Sequence, residues 1–244
     1  LILIPAAAYG VGLLFVPEYI NYITGIVLEF SVPVAVISLM WVSIYNGNNP
    51  LSLSLVILDT ILSPFLIPAT LKILVGSNIK MDTAGMMKEL VFMIALPAVI
   101  AMCLNEFSHG KVMETWPKKL APFSKMCLIF VVTSNSSKVS PYIKHLNGER
   151  LAVTAIILVL SASGYAIGWL IAIVTKQNKE STVSMIYGSG MRNISAGAVI
   201  AGAYFPAECL FPVMIGTLFQ QILAAFYGSL VRRVQMSQCK KEDI

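Results

Sequence analysis

Charged side chains are scarce in this sequence. Only 12% of the 244 residues are Asp, Glu, Lys or Arg, whereas about a quarter are charged in an ordinary soluble domain. Hydrophobic residues make up 57% of the chain, and the mean hydropathy is +0.80. These values exclude an ordinary soluble domain and indicate that most of the chain lies in a lipid bilayer.

The sequence also lacks the residue patterns of metal sites and hydrolytic centres. The four cysteines show neither metal-ligand nor disulfide spacing, and the two histidines, His109 and His145, lie in links between apolar stretches. No nucleophile and base share an apolar stretch, and no His-Glu-x-x-His pattern occurs. We therefore predict no enzyme, no catalytic residues, no bound metal and no cofactor.

Long apolar stretches are what the sequence has in abundance. Several reach about 20 residues, the length of a helix that crosses a bilayer, and they do not alternate as the strands of a membrane barrel do. We count eight of them, at residues 1–16, 19–45, 49–75, 84–106, 120–136, 151–175, 182–205 and 208–231. The pattern predicts an all-α polytopic membrane protein.

Basic residues in the links give the orientation. If the C-terminal tail lies inside, ten Lys and Arg residues fall on the inner side and six on the outer side. The positive-inside rule then predicts a cytoplasmic C-terminus, and we expect the plasma (inner) membrane of a prokaryote. Because this rule explains the net charge of +5, the charge does not indicate a nucleic-acid partner.

A weak internal repeat relates the two ends of the chain. The first three and the last three stretches each contain an interrupted middle stretch, followed by a proline, Pro50 or Pro206, that opens the next. The two triplets start five crossings apart, an odd number, so the second is inverted. Inverted repeats with broken helices are typical of secondary transporters, whose substrate sites lie at the breaks.

This repeat predicts four regions. They are a first core repeat at 1–75 with a crossover near 33–39, linking or panel helices at 76–148, a second core repeat at 149–232 with a crossover near 188–193, and a cytoplasmic tail at 233–244. The chain begins abruptly inside an apolar run, so we expect at least one incomplete helix.

Arg192 lies in the middle of the seventh stretch. A lone arginine at that depth costs several kcal/mol, so it requires a protein interior or wet cavity and a partner. Asp59 in the third stretch and Glu29 in the second are the candidate counter-ions, and a bidentate guanidinium–carboxylate pair is the expected geometry. Such a pair either fixes helix register or provides a charge that binds substrate or replaces a transported cation, and the two interpretations are compatible.

The interruptions themselves each have two interpretations. Pro33 removes a backbone donor, so the second stretch either kinks or opens there. In the seventh stretch, Gly188, Gly190 and Gly197 either loosen the backbone or allow helices to pack closely.

Two segments resemble the bile acid/sodium symporter family. The segment NGNNPLSLSLVILDTILSPFLIPATLKILVG is similar to the family's Gly-Asn-x-x-Leu-Ser region, and GSGMRNISAGAVIAGAYF is similar to its second crossover, usually Glu-x-Gly-Met-Gln-Asn. The resemblance covers essentially the whole chain. It implies a core and a panel domain, two discontinuous helices that cross, a sodium site behind the crossing, and two family helices before Leu1.

The resemblance also assigns roles to individual positions. Ser38 matches the serine of the first crossover, Ser52 a serine ligand on the next helix, and Asn193 an asparagine that contacts substrate. The glutamate and glutamine ligands of the second crossover fall on Gly188 and Arg192. The resemblance therefore implies that most sodium ligands are lost and that Arg192 supplies a fixed positive charge in their place.

These assignments define the predicted site. The stripe formed by Ser52, Val56 and Asp59 directs Asp59 toward Arg192, with Glu29 the second choice of acceptor. The predicted substrate contacts are Asn193, Ser189, Ser38 and Arg192. The predicted ion site or charge pair comprises Arg192, Asp59, Glu29 and Ser52.

The leading functional interpretation is a secondary transporter of organic anions, either bile-acid-like molecules or small carboxylates. It would work by alternating access without bound sodium, either uncoupled or coupled to protons through Asp59 or Glu29. A conventional sodium-coupled symporter is the alternative within this class. A non-transporting membrane sensor or structural module is the alternative class, although small residues at both breaks favour transport. The predicted partners are an organic anion and the lipid bilayer.

Overall fold

The computed structural model describes residues 2–76, 82–144 and 147–242. Eleven α-helices make up most of these residues. In chain order they are α1 (Leu3–Phe15), α2 (Ile20–Ser31), α3 (Ser38–Ile44), α4 (Asn49–Leu74), α5 (Thr83–Leu90), α6 (Leu96–Phe107), α7 (Lys111–Lys144), α8 (Gly148–Val174), α9 (Lys179–Gly190), α10 (Ile194–Tyr204) and α11 (Ala207–Glu242). A π-helical turn at Val91–Ala95 joins α5 to α6.

The all-α membrane architecture predicted from the apolar stretches is confirmed. Each stretch coincides with one helix, with a pair of helices, or with the middle of α7. Among the residues that the structure describes, four helical segments are long and apolar enough to span a membrane, namely Asn49–Leu74, Thr83–Phe107, Gly148–Val174 and Ala207–Val234. The second and seventh stretches are the ones that break, into α2 and α3 and into α9 and α10.

Asparagine side chains begin several of these helices. Asn48, Asn147, Asn178 and Asn193 precede α4, α8, α9 and α10, and each side-chain oxygen accepts a hydrogen bond from a backbone N–H three residues further on. This bond satisfies one of the donors left free at a helix start, which contributes about 0.5–2 kcal/mol. The cap by Asn193 therefore fixes where α10, the half-helix after the second break, begins.

Helix α2 forms the centre of the molecule. Every residue of 22–31 is buried, because α1, α4, α8, α10 and α11 all pack against this helix. By contrast, large apolar side chains such as Phe92 and Phe107 are exposed on α6 and the π-helical turn, as expected for surfaces that face lipid. The crossing described below is thus held inside protein rather than in hydrocarbon.

Two glycines of the seventh stretch serve close packing. Gly188 and Gly190 are still helical, and α9 ends only after Gly190. A Cβ on Gly190 would overlap the ring of Tyr165 on α8, and one on Gly197 would lie 3.1 Å from Val213 Cγ1. The structure therefore favours the packing interpretation for Gly190 and Gly197.

The region expected to form a separate tail continues α11. Helix α11 runs through residue 242, so residues 233–242 extend the last helix of the second predicted repeat. The division into core repeats and panel helices remains a prediction, as does the cytoplasmic position of the tail.

Replacing Gly190 with alanine is expected to destabilise the protein by about 1–3 kcal/mol, because the new methyl group requires the buried Tyr165 ring to move. The measurement is the thermal unfolding midpoint of the purified protein in detergent. Gly10→Ala is the matched control, because a Cβ at Gly10 on α1 meets nothing within 4 Å. A Gly190→Ala midpoint equal to that of the control would contradict the packing argument.

Candidate functional site

The two breaks meet and pair through their backbones. The first lies between α2 and α3 and the second between α9 and α10, and Val34 and Arg192 form an isolated antiparallel bridge there. The N–H of Asn193 donates to the carbonyl of Pro33 over 2.7 Å, and the N–H of Ala35 donates to the carbonyl of Met191 over 3.2 Å. Each break therefore satisfies backbone groups that the other has freed, as a buried, water-poor crossing requires.

Two side chains complete this pairing. Val34 and Arg192 form the bridge, and their N–H groups donate to side-chain oxygens that lie outside the two breaks. Asp59 Oδ2 on α4 accepts from the N–H of Val34 over 2.6 Å, and Gln220 Oε1 on α11 accepts from the N–H of Arg192 over 2.9 Å. Asp59 thus lies on α4, the helix that follows the first broken pair, and Gln220 lies on α11, the helix that follows the second. Each accepts from the pair that precedes its own helix.

The side chain of Arg192 is buried at this crossing, with 5% of its surface exposed. Its Nη2 donates to the backbone carbonyl of Ser189 over 3.2 Å. Ser189 lies in the last turn of α9, where the carbonyls carry the negative end of the helix dipole, so a cation is favoured there. The charge thus rests against a helix C-terminus.

The contacts of the Arg192 guanidinium differ from the predicted bidentate pair with a carboxylate. Asp59 and Glu29 both attract Arg192 electrostatically, but within the described residues the hydrogen bond of the guanidinium goes to a carbonyl and not to a carboxylate. One oxygen of Asp59 is instead bound by the N–H of Val34. The expected bidentate pair is therefore replaced by an attraction through space, because the backbone of the break competes for the carboxylate.

A cavity of about 680 Å³ lies beside the crossing. Its polar lining includes Asp59, Ser163, Ser189 and Arg192. Most of the remaining lining is aliphatic and comes from α1, α4 and α8, for example Leu55, Leu58, Leu62, Ile167 and Ile171. The cavity thus combines one buried cation with extended apolar walls.

The predicted site residues divide into two groups. Arg192, Ser189 and Asp59 line the cavity. The others, Ser38, Asn193, Glu29 and Ser52, are not among the described residues that line it.

The residues outside the cavity have other surroundings. Ser38 is the buried first residue of α3, and Asn193 caps α10. Glu29 lies between α2 and α11, against Gly216. Ser52 is buried, and within the described residues its Oγ has no hydrogen-bond partner.

The described residues give a partial fit to a sodium ion. The free Oγ of Ser52 is a suitable oxygen, but Gly188 and Arg192 occupy the positions where the resemblance places acidic and amide ligands. Within the described residues, no three His, Cys, Asp or Glu side chains group as metal ligands.

Sequence reasoning missed two parts of the crossing. Gln220 is one of two adjacent amides in the middle of the largely apolar eighth stretch, and this pair was the available signal. The N–H of Val34 has no signature in the sequence, because every residue except proline carries one.

The sequence of this chain is similar to those of known proteins over most of its length. A sequence profile described as the SBF-like CPA transporter family matches residues 1–236. The chain belongs to this family. It is an integral membrane protein of a transporter family, as the resemblance to bile acid/sodium symporters implied.

The chain is also similar to individual proteins of bacteria and plants. The chain is 40% identical to the Bacillus subtilis protein YbaS over 235 residues, which are 96% of this chain and 77% of YbaS. It is 23% identical over 223 residues to the probable sodium/metabolite cotransporter BASS1 of Oryza sativa, covering 89% of this chain and 53% of that protein. It is also 21% identical over 238 residues to the uncharacterized sodium-dependent transporter YocS of Bacillus subtilis, covering 96% of this chain and 72% of YocS.

Charge coupling across the crossing is testable with a double-mutant cycle. Asp59→Asn retains an oxygen for the Val34 N–H and removes only the charge, and Arg192→Gln removes the opposite charge. Each single change leaves a buried charge without its counter-charge, so we expect the double variant to be more stable than the sum of the single effects by about 0.5–3 kcal/mol. The measurement is the free energy of unfolding in detergent.

Asp82→Asn combined with Arg192→Gln is the control cycle. Asp82 caps α5 outside the crossing, so its effect is expected to add to that of Arg192→Gln. Additive effects in the Asp59 cycle as well would show that Asp59 and Arg192 are not coupled.

Proposed function

We propose that this chain is the transporting unit of a secondary transporter that carries small organic anions by alternating access, with Arg192 in the role that bound sodium has in relatives. The observation that carries the proposal is a buried guanidinium in the wall of a large apolar cavity at the crossing of two broken helices.

The hydrogen-bonding capacity of Arg192 supports anion binding. A guanidinium has five N–H donors in a planar fork that matches a carboxylate. Within the described residues, its side-chain hydrogen bond is the one to Ser189 O. Donors therefore remain for a substrate carboxylate, which would meet a charge that is already desolvated and in place.

The cavity walls define the rest of the substrate. A space of about 680 Å³ falls within the range of small-molecule sites, which are about 300–1,000 Å³. Its aliphatic lining favours an apolar body attached to the carboxylate, such as a bile-acid-like molecule, and also admits a small carboxylate. The hydroxyls of Ser163 and Ser189 are the polar groups that could orient such a substrate.

Membership in a transporter family supports transport over a sensor or structural role, and it likewise supports a non-enzymatic role. The broken helices provide elements that can shift against the helices packed around them while the paired breaks stay together. The predicted panel helices between residues 76 and 148 would form the other side of that movement.

A conventional sodium-coupled symporter is the second candidate. Two observations favour it. The buried Ser52 Oγ has no hydrogen-bond partner among the described residues, and two relatives are named as a probable sodium/metabolite cotransporter, BASS1, and an uncharacterized sodium-dependent transporter, YocS. In this alternative, sodium would bind as a co-transported ion and Arg192 would contact only the substrate.

Uptake of pyruvate and of cholate into proteoliposomes distinguishes these candidates. With sodium replaced by choline, the wild-type protein is expected to retain uptake of at least one of the two, because the fixed charge of Arg192 replaces the ion. Arg192→Gln is expected to weaken apparent affinity by about ten- to a hundredfold, since a hydrogen bond to a charged group contributes about 1.5–3 kcal/mol.

Lys176→Gln is the matched control, because it removes a positive charge at the exposed end of α8, and its uptake is expected to equal that of wild type. Strict sodium dependence would favour the conventional symporter. Unchanged affinity in Arg192→Gln would contradict the role of Arg192.

A further inference from the structure

Glu29 is a buried carboxyl group that anion binding does not use. It lies in the last turn of α2 with 2% of its surface exposed. Its Oε1 occupies the space that a Cβ on Gly216 of α11 would fill. Because Gly216 has no side chain, the carboxyl group packs directly on the backbone of α11.

In the part of the chain that the structure describes, the groups in direct contact with Glu29 do not stabilise a negative charge. Within the described residues, Oε2 has no hydrogen-bond partner, and the carbonyls at the C-terminus of α2 present the negative end of a helix dipole. A desolvated carboxylate without a hydrogen-bond donor is unfavourable, and the protonated form avoids this cost. Asp59 differs, because the N–H of Val34 donates to it.

Within the described residues, Arg192 is the charged group that acts on Glu29 at a distance. It attracts the ionised form of Glu29, while its own hydrogen bond goes to the carbonyl of Ser189. Among the described side chains on the helices packed against α2, the other titratable groups away from the helix ends are Tyr9, Asp59, Tyr165, Tyr227, Arg232 and Arg233. Glu149, Arg150, Glu208 and Cys209 lie in the first turns of α8 and α11, Lys72 in the last turn of α4, and Tyr204 ends α10.

Helix α11 links Glu29 to the crossing. Gly216 and Gln220 are four residues apart, so they lie on the same face of α11, one turn from each other. Gly216 contacts the carboxyl group, and Gln220 accepts the N–H of Arg192. A movement of α11 against α2 therefore changes the environment of Glu29 and the support of Arg192 together.

We propose that Glu29 is the proton-binding site of this transporter, and that it is protonated in the conformation described above. This inference rests on the proposed function and adds the coupling ion to it. When the cycle brings Glu29 closer to Arg192 or to water, its O–H bond breaks, the electron pair stays on the carboxylate, and the proton leaves to water.

Infrared difference spectroscopy of the purified protein without substrate tests the protonation directly. The wild-type protein at neutral pH is expected to show the carbonyl stretch of a protonated carboxylic acid, and Glu29→Gln to lose it. Asp59→Asn and Glu18→Gln, which changes an exposed glutamate, are expected to retain it. Absence of this band from the wild type, or its loss in Asp59→Asn instead, would overturn the proposal.

Isotope labelling makes this test independent of the variant. Glutamate labelled with ¹³C at its side-chain carboxyl is expected to shift the wild-type band, whereas labelled aspartate is not. A shift with aspartate would assign the proton elsewhere, even if Glu29→Gln did not fold.

A flux measurement tests the coupling. With one proton per substrate, an inward gradient of one pH unit is expected to concentrate the transported probe, pyruvate or cholate, by up to about tenfold in wild-type proteoliposomes. Glu29→Gln is expected to bring the probe to the same concentration inside and outside the proteoliposomes, without accumulation. Accumulation by Glu29→Gln, or wild-type uptake that ignores the gradient, would overturn the proposal. A wild type that transports neither probe would instead count against the proposed function, while the infrared band still decides the state of Glu29.

Discussion

The backbone pairing of the two breaks is the interaction on which the rest of this structure depends. Opening a helix inside a membrane protein exposes N–H and carbonyl groups that lipid cannot satisfy. Here Pro33 and Ala35 of one break exchange hydrogen bonds with Met191 and Asn193 of the other. Neither break is stable alone in this form, so the two halves of the chain require each other.

The acceptors that complete this pairing are unequal. Asp59 and Gln220 occupy corresponding places, each on the helix after a broken pair and each accepting one N–H of the Val34–Arg192 bridge. One is a carboxylate and the other a neutral amide. This difference places a negative charge on the α4 side of the crossing. The guanidinium of Arg192, which lies within the crossing, offsets that charge.

Much of the fold could be predicted from the sequence, because the length of an apolar stretch and a proline within it act locally. The eight stretches, the break at Pro33 and the cost of Arg192 are of this kind. The hydrogen-bond partners could not be predicted. Whether Asp59 binds a guanidinium or a backbone N–H depends on how two distant breaks align, and a backbone donor leaves no mark in the sequence. The glycines of α9 illustrate the same limit, because glycine is expected both where a helix backbone is flexible and where two helices pack closely.

The central claim is that a fixed guanidinium, and not a bound sodium ion, supplies the positive charge for the substrate. Linkage makes this directly measurable, because an ion that favours substrate binding must change the substrate's Kd as its own concentration changes. The decisive measurement is the equilibrium Kd of radiolabelled pyruvate or cholate for the purified protein, in choline buffer and in sodium buffer of equal ionic strength. The account predicts the same Kd in both buffers. Binding that appears only with sodium, or that tightens as sodium is added, would contradict it.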